Sequence, residues 1–173
     1  VQLCALYQIA TSDPERFENT ARATVAAIPS SNLKRVLTQP LQPLVLDWLA
    51  TIFADDRATL RAIVLNAVTD DETILRLADA ADETMCDLIA QNQTRLLRTP
   101  AIIEALYFNP AARASTVDRM LDFAARNQLK LPAIPDYEAI LAEIGAELPQ
   151  DEFEAATLDA QFRDAQEALK ELS

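Results

Sequence analysis

The stretch QNQTRLLRTPAIIEALYFNPAARAST, residues 91–116, decides how this chain is read. One apolar run ends at Asn92 and another at Asn109, and each is followed by polar residues suited to opening a new helix. Thr99 and Pro100 form a cap and first-position pair ahead of AIIEALYF, and Ser115 or Thr116 opens the next run, VDRMLDFAAR. The pattern recurs in AIVLNAVTDDET around Asn66 and in DFAARNQLKLP at Asn127. A residue just past a helix C-terminus often takes the left-handed conformation, which asparagine tolerates best after glycine. Asn66, Asn92, Asn109 and Asn127 are therefore expected to be structural caps. The alternative is a ladder of side-chain amides along one edge, pairing with the backbone of a bound peptide.

Glycine explains why asparagine should be needed. Gly145 is the single glycine in 173 residues. Sheet proteins use glycine in tight hairpins, and phosphate-binding loops use it to bring backbone close to the ligand. Alanine and leucine, both strong helix formers, dominate instead. The expected fold is all-α.

Helix starts are legible along the whole chain. Asp13, Pro14 and Glu15 make a cap, a first-position proline and an acidic first turn ahead of RFENTARATVAAI. SNLKRVLTQ is stopped by Pro40, and PLVLDWLATIF starts at Pro43. Asp56, Asp70 or Asp71, Asp82 and the pair Pro135-Asp136 open further segments. A last, more charged segment carries Phe153, Leu158, Phe162 and Leu169 on roughly one face. The count comes to about eleven short helices with a longer helix at the C-terminus. Short helices joined by short polar loops favour an irregular right-handed α-solenoid over a four-helix bundle. Two regions are expected: a helical-repeat array over residues 1–149, and an acidic amphipathic helix over residues 150–173 that is either docked or a linker.

The segments LNAVTDDETILRLA, residues 65–78, and NPAARASTVDRML, residues 109–121, resemble the bacterial HEAT-like and leucine-rich-repeat-variant α-solenoids. The likeness covers roughly residues 44–130. It implies a curved helical array that serves as an interaction surface. The repeat length drifts, there is no cysteine cluster for an iron–sulfur centre, and the helices from Asp136 onward do not follow the pattern.

Charge and chemistry narrow the function. The net charge is −12, from 27 acidic and 15 basic residues, which argues against a nucleic-acid partner. Residues 131–173 carry 11 acidic and 2 basic side chains, a net of −9, leaving −3 for the first 130. Between Leu88 and Lys130 the sign reverses, through Arg95, Arg98, Arg113, Arg119 and Arg126. These arginines are either a solvated face or a basic groove for an acidic protein or an anion, with Tyr107 as an aromatic anchor. The acidic C-terminus could also fold onto them or mediate self-association. There is no histidine, which removes the Ser-His and Cys-His nucleophile pairs and the commonest metal ligand. Each carboxylate pair, such as Asp55-Asp56 or Asp82-Glu83, sits where a helix N-cap is expected. No catalytic residue, metal site or cofactor is assigned.

No apolar run approaches the ~20 residues that span a bilayer, so no membrane insertion is expected. Cys4 and Cys86 lie in apolar helical patterns and read as buried free thiols of a cytoplasmic protein. The chain begins at Val1 inside an apparent helix, as a fragment of a larger bacterial protein would. The expected role is a non-enzymatic protein–protein interaction or scaffolding module. The rival is a ligand- or nucleotide-sensing domain that uses the Arg-rich 95–126 face.

Overall fold

Proline and aspartate set where the helices begin. The structure is a computed structural model and describes residues 2–147. Helices α1 (Gln2–Ser12), α2 (Pro14–Ala26), α3 (Ser30–Leu37), α4 (Pro43–Ile52), α5 (Arg57–Leu65) and α6 (Asp71–Asp79) come first. They are followed by α7 (Glu83–Ala90), α8 (Gln93–Arg98), α9 (Ala101–Phe108), α10 (Ala114–Arg126) and α11 (Tyr137–Glu147). Among the described residues the fold is all-helical, with no strand. The amphipathic helix expected over residues 150–173 lies outside the described residues, as does the 149/150 boundary.

Proline opens α2 and α4, where its missing N–H is one the helix leaves unbonded in any case. Asp56 caps α5 by accepting from the N–H groups of Ala58 and Thr59, and Asp82 caps α7 by accepting from Met85. Asp13 precedes α2 with no side-chain cap bond; only its carbonyl accepts, from Arg16 and Phe17. The sequence pattern does not announce α8. It is six residues long, and the stretch around it reads as a loop.

Packing divides the chain into two compact units, Val1–Arg76 and Leu77–Ser173. In the first, α1 lies along α2, both touch α4, and α5 packs on α3 and α4. Val25, Leu33, Leu37, Leu46, Leu49 and Ile63 are fully enclosed there. Tyr7 meets Trp48 edge-on with ring centroids 5.7 Å apart. In the second unit, α9 packs on α7, α8 and α10, and α10 also meets α7 and α11. Cys86, Ile89, Leu96, Ile102, Ile103, Leu106 and Met120 form its centre. Each such side chain contributes about 1.5–3 kcal/mol by leaving water, before ordering costs. Cys86 is a buried free thiol, and burial, followed by the nearby charges of Asp82 and Asp87, pushes its pKa up. Cys4 is also free but only half-buried, so the expected burial is incomplete there.

Candidate functional site

The four asparagines do three different jobs, and none of them rests on left-handed backbone. Asn66 follows α5 with extended backbone (φ −71°, ψ 125°), and Asn109 follows α9 likewise (φ −73°, ψ 117°). The buried Asn66 amide donates to the carbonyls of Leu37 (2.7 Å) and Gln39 (2.9 Å), and its oxygen accepts from the Val68 N–H (3.2 Å). The buried Asn109 amide donates to Ala78 (2.8 Å) and Ala81 (2.9 Å), and its oxygen accepts from Ala111 (2.8 Å). Each side chain thus serves carbonyls at the end of a helix far back in sequence, groups that the helix itself leaves without partners. Asn92 is the N-cap of α8, accepting from the Arg95 N–H at 3.2 Å. Asn127 follows α10 at φ −99° and bonds back to the Phe123 carbonyl.

Left-handed backbone falls elsewhere, at Gln128 (φ 50°) and Asp136 (φ 53°). At Gln128 it closes α10. The Gln128 N–H bonds the Ala125 carbonyl and the Leu129 N–H bonds Ala124, the double closure of a Schellman motif.

Two carboxylates act as receivers between helices. Asp87 on α7 accepts from Thr116 and from Arg113 (3.1 Å), both at the start of α10. Asp47 on α4 accepts from Thr73 (2.8 Å) and from Arg76, both on α6. Thr116 is therefore not a side-chain cap of its own helix; its hydroxyl is spent on Asp87. Thr73 and Thr116 are buried, so each hydroxyl needs such a partner. No group of three or more potential metal ligands occurs among the described residues.

The five arginines expected to form one basic face are used in different ways. Arg95 is only 6% exposed and lies within the second unit. Arg113 is exposed but paired with Glu83 and Asp87; its bond to Glu83, and then the charges of both carboxylates, raise its pKa. Arg126 pairs with Asp122 at 3.0 Å on its own helix. Arg98 is exposed, and the exposed Arg119 borders a hollow of about 210 Å³ with Gln91, Gln93 and Phe123. A surface row of five available guanidinium groups is not formed, because α8 turns Arg95 inward and α7 supplies carboxylates to Arg113.

Exposed apolar residues stand at two helix ends, only one of which, beside Tyr107, the sequence had marked as an anchor. Leu65 is 61% exposed and Phe108 is 56% exposed. Each is the last residue of its helix, directly before Asn66 or Asn109. Tyr107, half-buried, meets Phe108 edge-on at 5.1 Å. Leu65 also borders a hollow of about 560 Å³ with Leu37, Pro40, Ala62 and Asn66. The signal was present in the sequence: an apolar residue immediately before a helix-ending asparagine, displaced from the buried stripe set by Ile63 or Leu106.

A larger cleft, about 810 Å³, opens between the end of α10, the 128–136 connection and α11. Its walls include Ala125, Leu129, Leu131, Ile134, Tyr137 and Leu141. Tyr137 is 8% exposed, and its hydroxyl is out of water with no hydrogen-bond partner among the described residues. Burial pushes its pKa up to about 12. Leaving such a hydroxyl unbonded costs about 1–3 kcal/mol.

No protein-family model, curated protein or solved structure matches this chain.

Proposed function

We propose that the chain is a non-enzymatic protein–protein interaction module, built as an irregular right-handed α-solenoid and working in the bacterial cytoplasm. The exposed pair Leu65 and Phe108 carries this reading. Both stand at helix ends whose next residue is a buried, multiply bonded asparagine, so each apolar side chain is presented from a rigid terminus. Large apolar groups held in water on rigid backbone suit a partner's apolar contact. The solenoid is supported by repetition. Asn66 and Asn109 make the same kind of long-range bond, and so do the Asp47–Thr73 and Asp87–Thr116 pairs. Asp56 and Asp82 are spent as helix caps, and Asp47 and Asp87 as receivers between helices. No described helix is long and apolar enough to cross a membrane.

The dispersal of the arginines also shifts the partner. An acidic protein drawn to a basic groove fits less well than one offering an apolar surface. Site-specific photo-cross-linking from positions 65 and 108 tests the reading in cells. A discrete adduct from both positions is expected. It should be lost when the exposed Val68 or the half-buried Tyr107 is changed to serine, with helical content preserved. Absence of adducts, together with saturable stabilisation by a nucleotide that Arg98→Ala or Arg119→Ala removes, would establish the sensing alternative instead. At ~100-fold excess over its Kd a nucleotide stabilises by about 2.7 kcal/mol, which a thermal-shift measurement resolves.

A further inference from the structure

Basic charge collects on α3 and α5, away from the arginines of residues 95–126. Lys34 and Arg35 lie on α3, Arg57 and Arg61 lie on α5, and neither helix holds an acidic residue. All four residues are exposed. The charge of Lys34, after the Thr59 hydroxyl and the N–H groups of Thr59 and Ala58, lowers the Asp56 pKa, which sets Lys34 near the start of α5. At the other end the Asn66 amide bonds the Leu37 carbonyl, so the two helices run side by side in the same direction. Arg57, Arg61 and Leu65 recur at every fourth position and share one stripe of α5. Like charges at this spacing repel each other, and a bound carboxylate relieves them. Among the described residues Lys34, Arg35 and Arg61 form no ion pair. The carboxylates next to α5 in sequence are Asp55 and Asp56, and Asp56 is bonded to Thr59. The hollow of about 560 Å³ opens at the Leu65 end of the same stripe, between Leu37 and Pro40 on one side and Ala62 and Leu65 on the other. An apolar floor and a basic rim thus lie side by side between two packed helices.

We propose that the groove between α3 and α5 receives an acidic peptide segment of a partner protein, which sets one large apolar side chain in the hollow beside Leu65 and its carboxylates against Arg61, Arg57 and Lys34. The proposal rests on the interaction reading of Leu65 and adds to it the charge of the partner. Apolar contact supplies most of the affinity, and the cations fix the direction in which the segment lies. A nucleic acid is disfavoured because the chain as a whole carries −12, whereas a short acidic segment meets only the local basic face.

Selection of a displayed library of random peptides on the immobilised full chain tests this, followed by titration of the enriched peptide against variants. The enriched sequences are expected to combine a large apolar residue with aspartates or glutamates. Lys34→Gln with Arg61→Gln keeps the helices, since glutamine is a good helix former, and should weaken binding about fivefold to tenfold, as for two exposed ion pairs. Leu65→Ser should weaken it at least as much. Arg61→Glu should lose the acidic peptide and recover affinity for the same peptide with lysines in place of its carboxylates. Neutral apolar peptides that depend on Leu65 but not on Lys34 and Arg61 would leave the interaction reading standing and overturn this proposal. Failure of any peptide to enrich, or equal binding by all the variants, overturns both. A fluorescein-labelled single-stranded oligonucleotide that binds saturably at physiological salt, and is released by Lys34→Gln with Arg61→Gln, assigns the face to nucleic acid and also overturns the proposal. Absence of oligonucleotide binding supports it.

Discussion

Asn109 holds the end of α6 through Ala78, donating its amide N–H to that carbonyl at 2.8 Å across 31 positions of sequence. A second donation to Ala81, at 2.9 Å, and acceptance from the Ala111 N–H tie three backbone segments to one side chain. The end of a helix presents carbonyls and partial negative charge, so an amide NH₂ suits it and a carboxylate does not.

Replacing Asn109 by Ala should therefore cost about 2–4 kcal/mol, because buried carbonyls lose their partner. Asn109→Gly should give no rescue, since the native φ of −73° is open to any residue. Asn109→Asp should be at least as harmful as Ala at neutral pH. Urea denaturation of the three variants checks the order, and a near-native glycine variant would show that backbone conformation, not the amide, is what matters. Asn66 should behave alike through Leu37 and Gln39.

Asn92 should separate from Asn109 in the same experiment. It is exposed and acts as an ordinary N-cap, with Arg95 N–H as donor. Asn92→Ala should cost roughly 1 kcal/mol, and Asn92→Asp or Asn92→Ser close to nothing, because either oxygen caps equally well. An Asp variant as damaging here as at position 109 would mean that the Asn92 amide also donates to an essential acceptor.

The paired receivers Asp87 and Asp47 should differ in strength. Asp87 has 23% of its side chain exposed against 43% for Asp47, so water screens the first less. Thr116→Val, which keeps the shape and removes the donor, should cost about 1.5 kcal/mol, and Thr73→Val should cost less. Equal losses in both variants, measured by chemical denaturation, would show that burial of the hydroxyls rather than of the carboxylates sets the effect.

Asp56 gives the acid limb a local marker. The hydroxyl of Thr59, followed by the N–H groups of Thr59 and Ala58, holds its pKa below the usual Asp value against the pull of burial. A depressed folded-state pKa contributes stability in full above the unfolded value of about 3.9. That contribution declines as the pH falls from there through the folded value. The stability gap between the native chain and Asp56→Asn should stay constant from pH 7 to 5 and narrow only below about pH 3.9. A gap that closes already at pH 5 would show that the hydrogen bonds do not lower this pKa.

Local chemistry was legible because its partners are local. Pro14, Pro43, Asp56 and Asp82 mark helix starts within three residues of the groups they serve, and the lone glycine with abundant alanine and leucine left no other fold class. Beyond that range the sequence was ambiguous. Asn92 and Asn109 both follow an apolar run, yet one caps the helix ahead of it and the other secures a helix end 31 residues behind. Arg95 and Arg113 both read as surface charge, yet α8 carries the first inward, and Glu83 and Asp87 claim the second. The Tyr137 hydroxyl is shut off from water in the packed chain, which nothing in its local sequence announces. Capping acts over one turn and can be read from neighbours in sequence. Burial and long-range hydrogen bonding depend on which helices meet, and only the packed structure decides that.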